Sequence, residues 1–597
     1  LDSSLQRLGL ETALAQAIKD AGLAGHVTAT AGAVVQDAAQ LRSTIHDNLT
    51  FIPMTLVLGL ALIGWMFRKP FAVFMAGLAM TVVTAAAVAV LPVIDQPYTL
   101  VTSMAAPLLA ALTIALLIHF YTAMTLAERH GVRGADRVRH AIGDIRGAAR
   151  FTSITTIAGF GSLMFSKIPP IQMFGVVGVV GEILVYFTVI VLLPPLFIRW
   201  DDKKWRTDSA GMRWIDSFVL RVARIGIRRA GVVSILFLAL TLITLPLLWQ
   251  IKSETDLLKF FADDHPLTLS TQKIEDKLVG ITPLEVVFDT SEAEGMKAPE
   301  RLQAIRAFQA WAESLPEVDR ALSMADIVED MNWAFHGEDP AYRVVPQSRK
   351  LISQLLFIYD GRDLSDFVDS AYQRTRVVLA VNVHGANETG AVIKEIESHL
   401  EQQSMPAMKW HIAGFGRLFY DQQELLVMGT LKSLWMAVLQ IFIIMLILWR
   451  SLLAAALCII PNIAPIYATY ILMGAGGIWL DMGTALIASV ALGVAVDDTI
   501  HLFHGYVERV KKGVKPTWAL ARNYRQAGRA VTTTSFILCV PFFLLTFSSF
   551  QPTSHFGLLT TFGLLAAMLF DLLLLPALLV AISARQARLA ARSIPPE

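Results

Sequence analysis

Two cysteines in 597 residues, Cys458 and Cys539, both lie inside apolar runs. That scarcity excludes a disulfide framework and a zinc site built on thiolates. Charge is scarce as well: Asp, Glu, Lys and Arg make up 17% of the chain, against about 25% in an average soluble domain. A glycine-rich phosphate loop of the Walker kind is missing, which argues against ATP as an energy source. The net charge of +1 conceals segregation rather than neutrality, and nucleic acid is not an expected partner.

What is abundant is apolar sequence, 55% of the chain, with a mean hydropathy of +0.55. A bilayer core takes about 20 apolar residues as helix. Eleven runs meet that need: 49–67, 71–91, 100–121, 151–165 and 171–198, a lone run at 232–250, then 427–449, 452–474, 482–503, 531–547 and 555–582. The first five and the last five are copies. Position n matches position n + 382 without a gap from Ala31 to Pro194, pairing Gly32 with Gly414, Arg68 with Arg450, His119 with His501, Ser153 with Ser535 and Pro194 with Pro576. Pseudo-symmetric membrane halves are a transporter signature, with the working site near the midplane where the halves meet. The lone run and the five after it complete a six-helix unit. The intact protein is therefore expected to have twelve spans, with the missing one and most of a first outer domain upstream of Leu1.

The domain reading follows. Residues 1–48 are the remnant of a first outer domain and 49–199 the spans of the first repeat. Residues 200–229 form a basic connector and 230–251 the first span of the second repeat. An outer α+β domain occupies 252–425, the remaining five spans 426–584 and a tail 585–597. Charge orients the chain. Arg129, Arg133, Arg137, Arg139 and Arg146 crowd one loop, and Arg509, Lys511, Lys512 and Lys515 its repeat; Lys203, Lys204 and Arg206 fall in the connector, Arg585 and Arg588 in the tail. The positive-inside rule makes these cytoplasmic and puts 252–425 outside.

In the outer domain, 284–288 and 377–383 have strand composition, while 299–314 and 388–402 have helical spacing. Repeated strand–helix–strand order predicts a split βαβ arrangement. The stretch 326–360 has no clear assignment. Trp311, Trp333 and Phe335 fit either a core or a lipid cavity. No nucleophile, base and orienting group come together there, so an enzyme is not expected.

What breaks the repeat guides function. Asp497 and Asp498 stand where the first copy has Ala115 and Leu116. They lie about fifteen residues, or about 22 Å, into their run. A carboxylate at that depth costs about 2.5–3.5 kcal/mol on insertion scales. Two neighbouring acids repel each other and lose hydration, which suits the pair to hold and release a proton. Asp497, His501, His504 and Glu508 recur at i, i+4, i+7 and i+11, one helical face. His501 and His504 are either relay members or interfacial packing residues. Asp497 with His501 and His504 has the spacing of a metal site, but no further ligand cluster is visible and no metal is expected. Glu182 and Asp571 lie in corresponding helices two turns apart in register; they either line a polar cleft or tie helices together. Thr532, Thr533, Thr534 and Ser535, like Thr152, Ser153, Thr155 and Thr156, either back-bond to carbonyls or order water beside the acids.

The segment GVAVDDTIHLFHGYVERVKKG, the LLLLPALL exit of the last span and the 6+6 duplication resemble the resistance-nodulation-division superfamily. The resemblance is to its lipid-exporter branch, with the mycobacterial membrane protein large-type transporters, hopanoid exporters and bacterial sterol transporters. It implies a duplicated polytopic helical bundle with α+β periplasmic domains in a bacterial inner membrane. The implied function is proton-driven export of a hydrophobic lipid. The proton is the coupling ion, no other cofactor is expected, and Asp497, Asp498, His501, His504 and Thr534 would carry it. His119, Tyr121, Glu182 and Asp571 would support them. Expected partners are lipid substrate, membrane lipid, a periplasmic lipid carrier and further copies of the chain in a dimer or trimer. Where multidrug members oppose the acids with a lysine, this chain offers only Thr113, His119 and Tyr121. The alternative is a sterol-sensing-type lipid-binding membrane protein that does not pump.

Overall fold

In a computed structural model, residues 2–201, 205, 213–256, 258–359, 361–403 and 405–592 are described. Lys203, Lys204 and Arg206 of the basic connector lie outside the described residues. The chain divides into two units, one of residues 1–42 and 254–424, the other of residues 43–253 and 425–597.

The second unit is helical. Among the described residues, ten helices are long and apolar enough to span a bilayer: Ala33–Phe67, Pro70–Val93, Leu100–Arg129, Pro169–Trp200, Ala230–Gln250, Phe415–Trp449, Leu452–Gly476, Thr484–Lys511, Ala527–Leu545 and Gln551–Ser583. Eleven runs were expected. The exception is 151–165, which lies in the helix Gly134–Leu163. The helix ends at Leu163, so a stretch of spanning length takes in Arg146 and Arg150 as well as Thr152, Ser153, Thr155, Thr156 and Ser162, and its hydropathy is diluted. The helix tolerates the hydroxyls because it packs against three others, Ala105–Arg129, Pro169–Phe187 and Ile487–Lys511, rather than facing lipid.

The duplication is written into the backbone. Left-handed residues recur at the 382-residue offset, Arg68 (φ 48°) with Arg450 (φ 49°) and Gly131 (φ 83°) with Gly513 (φ 82°). The two glycines end their helices in the conformation glycine adopts without strain. Burial also follows the repeat. The Leu100–Arg129 span is 94% buried and its counterpart Thr484–Lys511 78%, whereas the lone span Ala230–Gln250 is 6% buried. Ile235, Ile243 and Trp249 stand exposed along it, a surface suited to hydrocarbon and not to water. The two central helices are thus repeat mates. The Ile487–Lys511 helix reaches the first half through Gly159, where an added Cβ would lie 3.0 Å from both Gly493 Cα and Ser489 O. Small residues let backbones approach this closely in a membrane bundle.

The other unit is built on a four-stranded sheet, β1 (Thr282–Asp289), β2 (Val318–Leu322), β3 (Arg374–Val381) and β4 (Lys409–Ala413), in the order β2-β3-β1-β4. Every adjacent pair is antiparallel, with Leu284 opposite Leu379 and Val286 opposite Val377. The alternation of Leu284, Val286 and Phe288 puts one face of β1 in the core. Helices Pro299–Ala312 and Ala386–Gln402 connect β1 to β2 and β3 to β4, the split βαβ arrangement the sequence predicts. The unassigned stretch holds helices Met324–Phe335 and Arg349–Ile358. Trp311 packs beside the core and stacks on His399 at 3.6 Å, while Phe335 is 57% exposed.

Candidate functional site

Adjacent residues on a helix point about 100° apart, and this decides what the two central acids do. Asp497 turns toward the first half, where Thr152 Oγ1 donates to its Oδ1 at 2.5 Å. Asp498 turns away from it, and Ser535 Oγ donates to its Oδ2 at 2.8 Å. The acids are held by different helices.

One turn on from Asp497, His501 Nε2 lies 3.3 Å from Asp497 Oδ1. His119, the repeat mate of His501, stacks on it with ring centroids 4.9 Å apart and planes 11° from parallel. Equivalent residues of two copies meet face to face only where the pseudo-twofold axis passes between them. His119, Asp497 and His501 line a cavity of about 40 Å³ with Thr152, Ser153 and Glu182. Ala115 and Leu116, the first-copy counterparts of the acids, form part of its wall. A space of this size and polarity holds a few water molecules.

Two further acids are anchored nearby. Ser153 Oγ donates to Glu182 Oε1 at 2.6 Å, so Glu182 both lines the cavity and ties two helices. Thr499 Oγ1 donates to Asp571 Oδ1 at 2.6 Å, and Asn462 Nδ2 donates to Thr499 Oγ1 at 3.0 Å. Tyr524 donates to the Asp571 carbonyl at 2.7 Å. Asp571 thus belongs to a hydrogen-bonded chain inside the second half and does not line the cavity.

Several residues singled out in the sequence lie elsewhere. His504 is exposed and its ring lies 6.0 Å from that of Trp449. The structure does not bring it to the acids. Glu508, further along the same face, pairs with Lys512 at 2.6 Å. Thr534 donates to Ala530 O at 3.0 Å and Val531 O at 2.9 Å, within its own helix. Tyr121 donates to Ala72 O at 2.9 Å and packs among Phe67, Phe197 and Trp205. Thr113 donates to Leu109 O at 2.7 Å.

Sequence reasoning missed Thr152 as the partner of Asp497. The signal was the repeat itself. Thr152 is the counterpart of Thr534, and across a pseudo-twofold interface the hydroxyl that meets an acid of one copy comes from the other. Thr499 and Asn462 carried no such signal, since single polar residues in apolar spans are common.

The sequence model of the MMPL family matches residues 286–594. Among curated proteins the chain is similar to the membrane protein MJ1562 of Methanocaldococcus jannaschii, with 24% identity over 340 residues covering 55% of this chain and 85% of that protein. Among solved structures it is similar to the hedgehog release protein Disp from the water bear Hypsibius dujardini. That likeness has a TM-score of 0.65 at 14% identity and covers 92% of this chain and 72% of the other. At this identity the likeness is one of fold.

Proposed function

The chain belongs to the MMPL family of the resistance-nodulation-division superfamily, and from that premise we propose that it is a proton-driven exporter of a hydrophobic lipid, a sterol, hopanoid or related molecule. Family and fold support the coarser reading, a lipid transporter of this superfamily or a sterol-sensing-like protein. One observation favours pumping: Asp497 is held between a hydroxyl of the first half and an imidazole of the second, beside a small cavity that Glu182 also lines. A pure lipid receptor has no need of such a group at membrane depth.

The physical step is simple. Ionised Asp497 accepts from Thr152 of the first half, which couples the two halves, and pairs within its own helix with His501 once that ring is protonated. A proton added to Asp497 removes the charge, weakens both contacts and frees the Gly134–Leu163 helix to shift against Ile487–Lys511. Each proton crossing 100 mV supplies about 2.3 kcal/mol, comparable with the contacts it breaks. Glu182, anchored by Ser153 on the same cavity, is the next acceptor. The positive-inside pattern supports an orientation with the sheet-bearing unit on the non-cytoplasmic side, the periplasm if the membrane is a bacterial inner one, where it would receive lipid and meet a carrier or another copy of the chain.

Asp497→Asn keeps the shape and removes the titration. In proteoliposomes with an imposed proton gradient, export by Asp497→Asn is expected to fall to the level of empty liposomes, with normal expression and lipid binding. The Asp497→Asn/Asp498→Asn protein is expected to be equally silent. Retained export by that double variant would remove the pumping reading and leave the lipid-binding one.

A further inference from the structure

The sequence reading grouped Asp497 with His501 and His504 and found too few ligands for a metal. The fold replaces His504 with His119. One donor atom each from His119, Asp497 and His501 lies within 4.8 Å of the other two. We propose that these three side chains form a binding site for one transition-metal dication of the Zn²⁺ class, and that occupancy clamps the two halves together and stops transport. The clamping clause rests on the transporter reading above; the binding clause rests on geometry alone.

Four observations carry it. His119 Nε2 is buried with no hydrogen-bond partner among the described residues, and its side chain lines the same cavity as Asp497 and His501. The 3.3 Å between His501 Nε2 and Asp497 Oδ1 is about the ligand–ligand separation around a tetrahedral ion with bonds near 2.0–2.1 Å. Ligation by His119 requires its ring to turn out of the stack on His501. Thr152 already orients the carboxylate, as outer partners of metal ligands do, and the 40 Å³ cavity has room for water to complete the shell. The donor chemistry selects the ion. Two imidazoles and a carboxylate suit Zn²⁺, Co²⁺ or Ni²⁺, whereas Mg²⁺ and Ca²⁺ take oxygen shells. His119 sits on the Ala105–Arg129 helix of the first half, and the other two sit on Ile487–Lys511 of the second. One ion there would link the halves that the proton step must release.

Co²⁺ alone serves as the probe. Titrated into the purified full chain in nanodiscs at neutral pH, it is expected to bind at one per chain, with the visible absorption of a nitrogen-ligated ion and displacement by Zn²⁺. His119→Ala and His501→Ala should each weaken binding by about 100-fold, at least the upper loss seen for outer-shell changes; His504→Ala should not. Each variant is checked for an unchanged gel-filtration profile, and His119→Gln provides a second test with less loss of volume. An unaltered Co²⁺ spectrum in the His119→Ala/His501→Ala protein would overturn the site and leave the pump reading untouched. One-per-chain binding without loss of proton-driven export would overturn the clamp.

Discussion

At the 382-residue offset the second half carries Asn462, Asp497, Asp498, Thr499 and Asp571 where the first has Met80, Ala115, Leu116, Leu117 and Val189. The first half has its own charges, in a different place. Lys69, Glu128 and Arg137 stand where the second half has Ser451, Val510 and Ala519. These are helix-end residues, and they neutralise one another. Arg137 donates to Glu128 Oε2 at 2.6 Å and to Asp201 Oδ2 at 2.9 Å, Trp205 donates to the same Asp201 oxygen at 2.7 Å, and Lys69 pairs with Asp201. The acids of the second half have mostly hydroxyl partners. A carboxylate held by a fixed cation stays ionised; one held by a hydroxyl can take up a proton at modest loss. On the proposed function, the same backbone serves as a clamp in one copy and as a titrating element in the other.

The largest test of this division is to move the acid. Asp497→Ala alone should abolish proton-driven export. Adding Ala115→Asp places a carboxylate at the mirror position, which also lines the cavity. There Thr534 and His119 are the mirror counterparts of Thr152 and His501. Export in the Asp497→Ala/Ala115→Asp protein is expected to recover to about a tenth of the parent rate, a residual barrier of about 1.4 kcal/mol. No recovery in a protein with normal gel-filtration behaviour would mean that Asp498, Asn462 and Asp571 are needed as well, and that the halves differ by a network rather than by one residue.

The clamp predicts a different failure. Arg137 is 2% exposed, so Arg137→Met leaves Glu128 without its strong partner and one link of the Asp201 cluster broken. Removing one member of a buried ion cluster costs about 3–5 kcal/mol. The measurement is the urea midpoint or apparent Tm of the purified protein. Proton coupling in the fraction that remains folded should be unchanged. A change in coupling larger than the change in stability would break the clamp-and-relay division.

Much of this was legible in the sequence because the repeat is gap-free. It located nine of the ten spanning helices, the central pair among them, and the break at Asp497. The sheet's helix connections lie outside the repeat and were legible from hydrophobic periodicity, which changes from two to 3.6 between segments such as 284–288 and 299–314. What was not legible was pairing across the interface. Spacing along one helix put His504 and Glu508 in line with Asp497, yet no periodicity says how far along that line the partner helices extend. The partners that matter, Thr152 and His119, lie 345 and 378 residues away in sequence; the packing of Gly159 against Gly493 brings the helix of Thr152 into reach, and His119 arrives on a separate helix through its stack on His501.

The smallest effect gives the sharpest comparison, because it uses one substitution at two mirror positions. Thr152 Oγ1 donates to Asp497 in the other half, whereas Thr534 Oγ1 donates only to carbonyls of its own helix. Valine matches threonine in shape and lacks the hydroxyl. A hydrogen bond to a charged group is worth about 1.5–3 kcal/mol, so Thr152→Val should slow export by about tenfold or more and shift its pH dependence. Thr534→Val removes a back-bond that a helix does without and should leave the rate within about twofold, since such changes fall within about 0.5 kcal/mol. Both should fold equally well, as each loses one hydroxyl inside a packed helix. In the Asp497→Ala/Ala115→Asp protein the ranking should invert, with Thr534→Val harmful and Thr152→Val neutral. Equal effects at the two positions in the parent protein would show that the hydroxyls act on helix packing alone, and the asymmetry of the halves would then rest on the acids without their partners.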